Sequence, residues 1–506
     1  RFYHKFFSDK TPVEKGNGYK SLVVRNAGND CNYTFMRDAL IQNLYNGKTN
    51  VDCASYQPAV VFINGEYWGI ENIRERTNDH YYLANYNLDE DQIDMYDNLT
   101  LQNGTEEAYQ KLKSLLSGEF TYDELDRLVD MDNFLRYYVL YMFVWNADWP
   151  GNNFVFWRPR DGKFRWVLKD LDFGFGLDRG FSGDTSANPV FYMLNPGVIS
   201  DAWAYNDYNT FLFRRALADK DKIVEPMFID YYLVILGDLL RENIITNMAD
   251  SLASNIRNEF PYHSERWSKV QRYTAPNFRS HKAATPEKWE DEILYIKKWV
   301  NARIRNVYDS LSAQFNLGDF TPVRVTTSQN LTDQILMNSI KVHYSTFDGK
   351  WPIGRPLRVS VGDLSGKYVV KHWEVKTVSG EDTSEAEIIT GQELDLTDAI
   401  AVKKSGVLVH AVLENVNADG RNITKKLTNG KNVIVPRIIR NELVIKNSGI
   451  QHDIYNVEIF DISGKVLKTA VMQSGNLRLN LSGLSSRVIL LSVKNGINRQ
   501  VFKLLL

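Results

Sequence analysis

The sequence predicts an α+β first part of about 318 residues followed by two small all-β, sandwich-like modules. Three observations lead there. At 506 residues the chain is too long for one ordinary core, and length alone points to about three domains. Apolar residues recur with a helical period through residues 123–316. At about Gly318 that period drops from about 3.6 to 2, the alternation of half-buried strands. The expected boundaries are 1–318, 319–437 and 438–506.

In chain order, Ser21-Leu-Val-Val-Arg25 is a short apolar strand. Tyr33 to Leu44 has helical spacing in Phe35, Met36, Ala39, Leu40 and Leu44. Pro58 to Ile63 is a second strand, and the turn dipeptide Asn64-Gly65 makes Tyr67 to Ile73 its hairpin partner. Asp132 to Trp145 is an apolar helix dense in aromatics. A polar turn, Asn146 to Asn153, leads to a hairpin of Phe154 to Trp157 and Phe164 to Leu168 around Asp161-Gly162. Residues 177–210 read as a long Gly/Ser/Asn/Pro loop, and loops of that length are usually functional or disordered. Lys222 to Glu242 and Trp289 to Phe315 are further helices, the second opened by Thr285 as N-cap and Pro286 at its first position. Beyond Gly318, Val323 to Val325, Ile340 to Tyr344, Leu357 to Val361, Val369 to Val375 and Val407 to Leu413 predict an antiparallel module. Glu442 to Ile445, Val457 to Phe460, Leu477 to Leu481 and Val488 to Val493 predict the last one.

Composition narrows the function. A net charge of −2 provides no basic field for nucleic acid or an anionic membrane. No apolar run approaches the roughly 18–20 residues that span a bilayer. The scattered histidines form no HxxxH or HxH pair, which argues against a His-built metal site. Cys31 and Cys53 lack zinc or redox spacing; they are two unlinked thiols, or one disulfide if the protein is exported. The first residue is Arg1 and not Met, so the sequence is expected to begin inside a longer chain.

The chemistry concentrates in the helical part. Asp148 follows an apolar helix, and Asn153 completes Asp-x-x-x-x-Asn. Past the hairpin comes Asp170-Leu-Asp172-Phe-Gly. Phosphoryl transfer needs such a set: one carboxylate to orient the acceptor hydroxyl, with an amide oxygen and a second carboxylate to hold the metal on the phosphates. Oxygen ligands suit Mg²⁺, which needs few of them when phosphates complete its shell. The order matches the catalytic loop and metal-binding Asp-Phe-Gly of protein kinases. The plain alternative is that these residues cap helices and turns, as Asn152 and Asp161 are expected to do. Arg25 and Asp38 follow the order of the kinase strand cation and its helix acid, although Arg is not equivalent to Lys; Lys20 is another candidate cation. Glu75 is expected near the nucleotide. No Gly-x-Gly-x-x-Gly loop is present, so another element, or preceding sequence, covers the phosphates.

These residues carry a resemblance. Val60-Val-Phe-Ile-Asn-Gly-Glu-Tyr-Trp-Gly-Ile70 with Glu75, Leu22 to Asp30 with Arg37-Asp38-Ala39, Asn146 to Asn153, and Trp166 to Gly176 together resemble the CotH kinase family over roughly residues 1–316. The resemblance implies a bilobal protein-kinase-like fold that uses ATP and Mg²⁺ to phosphorylate Ser or Thr on exported or spore-coat proteins. It implies Asp148 as the catalytic Asp and Asp170 as principal metal ligand, with Asn153 or Asp172 assisting; Arg25, Asp38 and Glu75 would serve the nucleotide. Lys169 stands where many members carry an aromatic residue. In the tail, Ile454 to Val466, Leu479 to Leu484 and Gln500 to Leu506 resemble the sorting domain of type IX secretion, with Ser485-Ser-Arg-Val488 replacing its usual glycine-tyrosine step. That likeness implies a Bacteroidetes-type source, export and cell-surface attachment. Two other readings use the same residues: a non-catalytic surface or adhesion protein on this fold, and a metal-dependent phosphate-ester hydrolase.

Overall fold

The structure, a computed structural model, describes residues 6–7, 19–199, 203–268, 283–362, 368–400 and 406–415, and then 434–439, 442–447, 454–460, 466–473, 476–481, 488–495 and 498–505. Chain compactness divides it into two units, Arg1–Glu414 and Asn415–Leu506.

In the first unit, β1 (Leu22–Arg25), β2 (Tyr56–Ile63) and β3 (Glu66–Glu75) form an antiparallel sheet in the order β1–β3–β2. Asn64 and Gly65 turn the hairpin with φ of 53° and 83°, the left-handed pair that a two-residue connection favours. Helix α1 (Arg37–Tyr45) begins at Arg37, although the apolar spacing predicted a start at Tyr33. Asp30 is the reason. Its buried carboxylate accepts hydrogen bonds from the Thr34 N–H (3.1 Å), the Thr34 hydroxyl (2.6 Å) and the Arg37 N–H (2.9 Å), holding the approach as a turn.

A second sheet has the order β5–β4–β6–β7, from β4 (Ile93–Asp97), β5 (Thr100–Asn103), β6 (Val155–Pro159) and β7 (Arg165–Val167). Helices α2 (Asp79–Tyr86), α3 (Glu107–Ser117), α4 (Tyr122–Asp126) and α5 (Met131–Val144) run between and before these strands in the chain. From Asn133 to Val144 every residue of α5 is buried, as befits a helix apolar all round.

The stretch 177–210, read from sequence as one loop, holds α6 (Pro189–Leu194) and the start of α7 (Asp207–Ala216). Its asparagines are N-caps: Asn188 accepts from the Phe191 N–H (3.1 Å) and Asn206 from the Asn209 N–H (2.9 Å). The helix expected over 222–242 is α8 (Val224–Leu236), which stops short of the expected end; α9 (Glu242–Ile256) starts after a turn. A Cβ on Gly237 would stand 2.3 Å from Phe347 Cε2, so the chain breaks where it meets the β module. Asp238 then accepts from the backbone N–H groups of His343 (2.9 Å) and Tyr344 (3.1 Å). After α10 (Phe260–Ser268), α11 (Pro286–Phe315) begins as the sequence predicts, with Thr285 accepting from the Lys288 N–H (3.3 Å).

The following β module departs from wholly antiparallel pairing. Phe320–Thr327 pairs antiparallel with Thr346–Pro352 but parallel with Gly406–Asn415. Between them the chain visits a second sheet, through Ile335–Met337, Arg358–Val361 and Glu393–Asp395, and returns in its first direction. Val323, Val325, Phe347 and Trp351 join the same buried cluster as α5 and α8. Cys31 and Cys53 are separate buried thiols.

In the second unit, Ile434–Ile439, Glu442–Asn447 and Asn476–Asn480 form one sheet. Ile454–Phe460, Val466–Gln473, Val488–Asn495 and Asn498–Leu505 form another. Leu443, Ile445, Val457, Ile459, Leu481 and Leu491 make a small core from alternate strand positions. Ile434–Ile439 straddles the expected 437/438 boundary and pairs with Glu442–Asn447. Gly464 and Ser485 to Arg487 lie outside the described residues. Among the described residues no helix is long and apolar enough to cross a membrane.

Candidate active site

Two chain segments meet at the end of α5. The helix stops at Trp145, whose φ of 52° is left-handed, and the loop 146–153 follows. Asn146, fully buried, ties that loop to the one carrying Asp170. Its Nδ2 donates to the Asp170 carbonyl (3.2 Å) and its Oδ1 accepts from the Asp148 N–H (3.1 Å). The Tyr141 hydroxyl secures the approach to Asp170, donating to the Lys169 carbonyl (2.8 Å) and accepting from the Lys169 N–H (3.1 Å). Asn153 and Asp170 themselves stand at positive φ, 59° and 47°, the kind of local strain that clusters at functional sites.

Asp148 is half-buried. Its Oδ2 accepts from Nδ2 of both Asn152 and Asn153 at 3.0 Å, so these two amides fix one carboxylate oxygen and leave Oδ1 outside their grip. Burial pushes this carboxyl above its ordinary range. The Asn152 bond opposes that push, and the charge of Asp170 adds to it. Asn152 also serves the turn expected of it, its Oδ1 accepting from Asn98 Nδ2 at 2.9 Å.

Arg25, at the end of β1, reaches this centre. Its guanidinium forms an ion pair with Asp170 and stands 3.6 Å from Asp172 Oδ2. Burial pulls the guanidinium down, but the charges of Asp38, Asp170 and Asp172 outweigh burial and hold it above its usual value. Asp172 is buried and accepts from the Asn29 N–H (2.7 Å). Burial first, and then Asp170, drive it well above its usual value. Gly28 makes the approach possible: at φ 59°, a Cβ there would lie 2.5 Å from Asp172 Oδ2 and 2.9 Å from Arg25 Nη2.

The expected pairing of Arg25 with Asp38 is not a direct one. Asp38 pairs with Arg74, on β3, at 2.6 Å, while its other oxygen accepts from Gln42 (2.9 Å) and the Leu171 N–H (2.8 Å). Burial would raise Asp38, yet Arg74 and then Arg25 lower it to about 2. Glu75 is buried, taking hydrogen bonds from the Ser55 N–H (3.1 Å) and Asn85 (2.9 Å). Arg25, Asp38, Glu75 and Asp170 all line one cavity of about 590 Å³, together with Arg74 and Lys169. Asp148, Asn153 and Asp172 lie beyond its lining, and exposed Lys20 lines a different hollow.

The roles of three contributors escaped the sequence reading: Arg74, Asn146 and Arg37. Arg37 is fully buried, pairs with Asp30 at 3.1 Å and donates to the carbonyls of Gly174 (3.1 Å) and Phe175 (2.7 Å). Thus Arg37 and Asp38, neighbours at the start of α1, both hold the 170–175 segment. Arg74 shares the buried face of β3 with Asn72, a placement that the sheet pairing discloses.

Among the described residues no three His, Cys, Asp or Glu side chains form a ready metal cage. Mg²⁺ bound through phosphates needs only one or two carboxylates. Asp170 and Asp172 fit that demand, because two carboxylates face one guanidinium.

The profile of a family described as CotH kinase protein matches residues 3–307. No curated protein matches the chain. Among solved structures, native alpha-2-macroglobulin from Escherichia coli, spanning domains NIE-MG1, is 12% identical over 37% of this chain and 99% of that chain, with a TM-score of 0.14. The central fibronectin-III array of RIM-binding protein is 9% identical over 34% and 86%, with a TM-score of 0.12. A β-glucuronidase from Ruminococcus gnavus is 9% identical over 31% and 40%, with a TM-score of 0.14. Overlaps this slight assign neither fold nor site.

Proposed function

The chain belongs to the CotH kinase protein family, and from that premise we propose that it is an ATP- and Mg²⁺-dependent kinase acting on Ser or Thr of exported or surface proteins. The observation that carries this reading is the Asn146 bridge, which keeps the Asp148 loop and the Asp170 loop in register. We further assign a bilobal kinase-like domain to 1–318, an accessory β-sandwich to 319–437 and a sorting-type β domain to 438–506, which would serve export and surface attachment.

In this reading the cavity lined by Arg25, Asp38, Arg74, Glu75 and Lys169 receives the nucleotide. Asp170 and Asp172, with Asn153 assisting, would hold Mg²⁺. Bound Mg²⁺ would screen the phosphate oxygens and align the γ-phosphoryl group for in-line transfer. Asp148 orients the acceptor hydroxyl through Oδ1 and takes its proton as the new O–P bond forms, while the bond from the γ-phosphorus to the β–γ bridging oxygen breaks and ADP leaves. Burial raises the proton affinity of Asp148, the direction that favours a proton acceptor. Asn152 and Asn153 prevent the carboxylate from rotating away. Asp38, the acid beside the cavity, has its charge balanced by Arg74, which leaves Arg25 to face the phosphates and the metal ligands.

The test is transfer of labelled γ-phosphate from ATP to a mixed Ser/Thr protein substrate, measured beside nucleotide affinity. Asp170→Ala is expected to abolish Mg²⁺-dependent ATP binding. Asp148→Ala is expected to retain binding while turnover falls by roughly 10²–10⁴-fold. Unchanged ATP affinity in Asp170→Ala would refute the metal assignment. One observation favours a non-catalytic binding protein on the same fold, the direct pairing of Arg25 with Asp170. On that reading neither Mg²⁺ nor ATP shifts the melting temperature.

A further inference from the structure

Trp203 lies against the loop that carries Asp148. It is 55% exposed, yet a Cβ added to Gly151 would stand 2.1 Å from its Cζ3, so the indole rests directly on that glycine. Gly151 is three residues from Asp148, within about 11 Å of it even if the chain were extended. The loop is closed more tightly than that, since Asn152 and Asn153 bond the Asp148 carboxylate.

The backbone next to the ring is anchored to the core. Trp145, which ends α5, packs against Phe181, Tyr192 and Tyr205 with ring centroids 4.8, 5.6 and 5.9 Å apart. Tyr205 is buried, and Asn206 Nδ2 donates to the Trp203 carbonyl (2.9 Å). The same stretch also exposes Phe191, Val198 and Tyr208. Of the aromatics in this stretch, Tyr205 therefore belongs to the core, while Trp203 turns a large apolar face to solvent beside the proposed base. A large exposed apolar surface next to a reaction centre marks a contact surface.

We propose that Trp203 is a specificity-determining residue that receives an apolar or aromatic side chain flanking the acceptor Ser or Thr of a protein substrate. This rests on the kinase reading above. A segment that presents its hydroxyl to Asp148 comes up beside the 148–153 loop, and the exposed indole lies on that loop at Gly151. Ring-on-ring contact adds affinity beyond the area it buries.

The test uses the full chain, Mg·ATP labelled in the γ-phosphate, and peptides with one Ser or Thr in an alanine background, each flanking position scanned with Phe, Leu, Asp and Lys. The wild type is expected to favour Phe or Leu at one fixed position by about tenfold in kcat/KM over the alanine peptide. Trp203→Ala should bring the two peptides within about twofold of each other, and Trp203→Phe should restore most of the preference. Melting temperature and Mg·ATP affinity on the same samples report whether the variant is folded. A wild type that shows no apolar preference, or a preference that survives in Trp203→Ala, overturns the assignment of Trp203 and leaves the kinase reading standing. A wild type that binds Mg·ATP but labels no peptide removes the kinase reading, and this inference goes with it.

Discussion

At the scale of single residues, the candidate site depends on a few buried polar groups whose partners are distant in sequence. Asn146 is the clearest case. Replacing it by Ala leaves the Asp148 N–H and the Asp170 carbonyl without their partner, at a cost of about 1–3 kcal/mol. Because misplacement of reacting groups is costly, turnover is expected to fall on the order of 10²-fold with a smaller effect on ATP affinity. Separate measurement of kcat and of nucleotide binding checks this; equal losses in both would make Asn146 a purely structural residue. Arg37 offers a different prediction. Arg37→Met strands the buried Asp30 carboxylate and the carbonyls of Gly174 and Phe175. A loss of about 3–5 kcal/mol is expected from denaturant titration. Asp30→Asn combined with Arg37→Met should recover part of that loss, because the uncompensated charge is gone.

At the scale of elements, α10 docks on β3 through His263, whose Nδ1 accepts from the Ile70 N–H (3.0 Å) and whose ring meets Phe35 edge-on, centroids 4.7 Å apart. Burial lowers this imidazole to about 4. Its folded-state value lies below the unfolded value of about 6.5. Between those values the unfolded chain binds more protons, so stability falls as pH drops from 6.5 toward 4 and is complete above 6.5. The full contribution is about 3 kcal/mol. His263→Gln is expected to flatten this part of the stability–pH curve, measured by denaturation at pH 7 and pH 4.5. A wild-type midpoint that did not move between those pH values would exclude the linkage.

Elements also show what a sequence can and cannot disclose. The β2–β3 hairpin and α11 were legible because their signals are local: Asn64-Gly65 for the one, Thr285-Pro286 for the other. Asp148 and Asp170 could be singled out as candidates because each lies in a short ordered motif, and the structure shows their loops tied together by Asn146. The break after Leu236 was not legible, since it is imposed by Phe347, a residue far along the chain. The true partner of Asp38 was hidden for the same reason. Chain order offers Arg25 first, and only the pairing of β1 with β3 brings Arg74 to the carboxylate. The caps of α6 and α7 were misread because Asn favours loops and N-caps alike.

At the scale of the whole molecule, the β strands after Gly318 are bound into the core of the helical region. Gly349 and Phe347 press on Gly237, Asp348 N–H donates to the Gly237 carbonyl (2.8 Å), and Arg355 pairs with Asp230 at 2.7 Å. A chain ending at 318 would expose the face of α8 that covers Phe347 and would leave Asp238 without the His343 and Tyr344 N–H groups. Both changes are destabilising by a few kcal/mol each, against a total stability of about 5–15 kcal/mol for a typical protein. A chain ending at 414 keeps every one of these contacts and loses only the unit with its own small core. The expected outcome is a 1–414 protein that melts cooperatively and binds Mg·ATP, and a 1–318 protein that is aggregated or melts at much lower temperature. Calorimetry of the two truncations decides it. If 1–318 melted as the longer form does, the middle β strands would be an appended module whose contacts with α8 contribute little, and the helical region would have to be stable through α5, α9 and α11 alone.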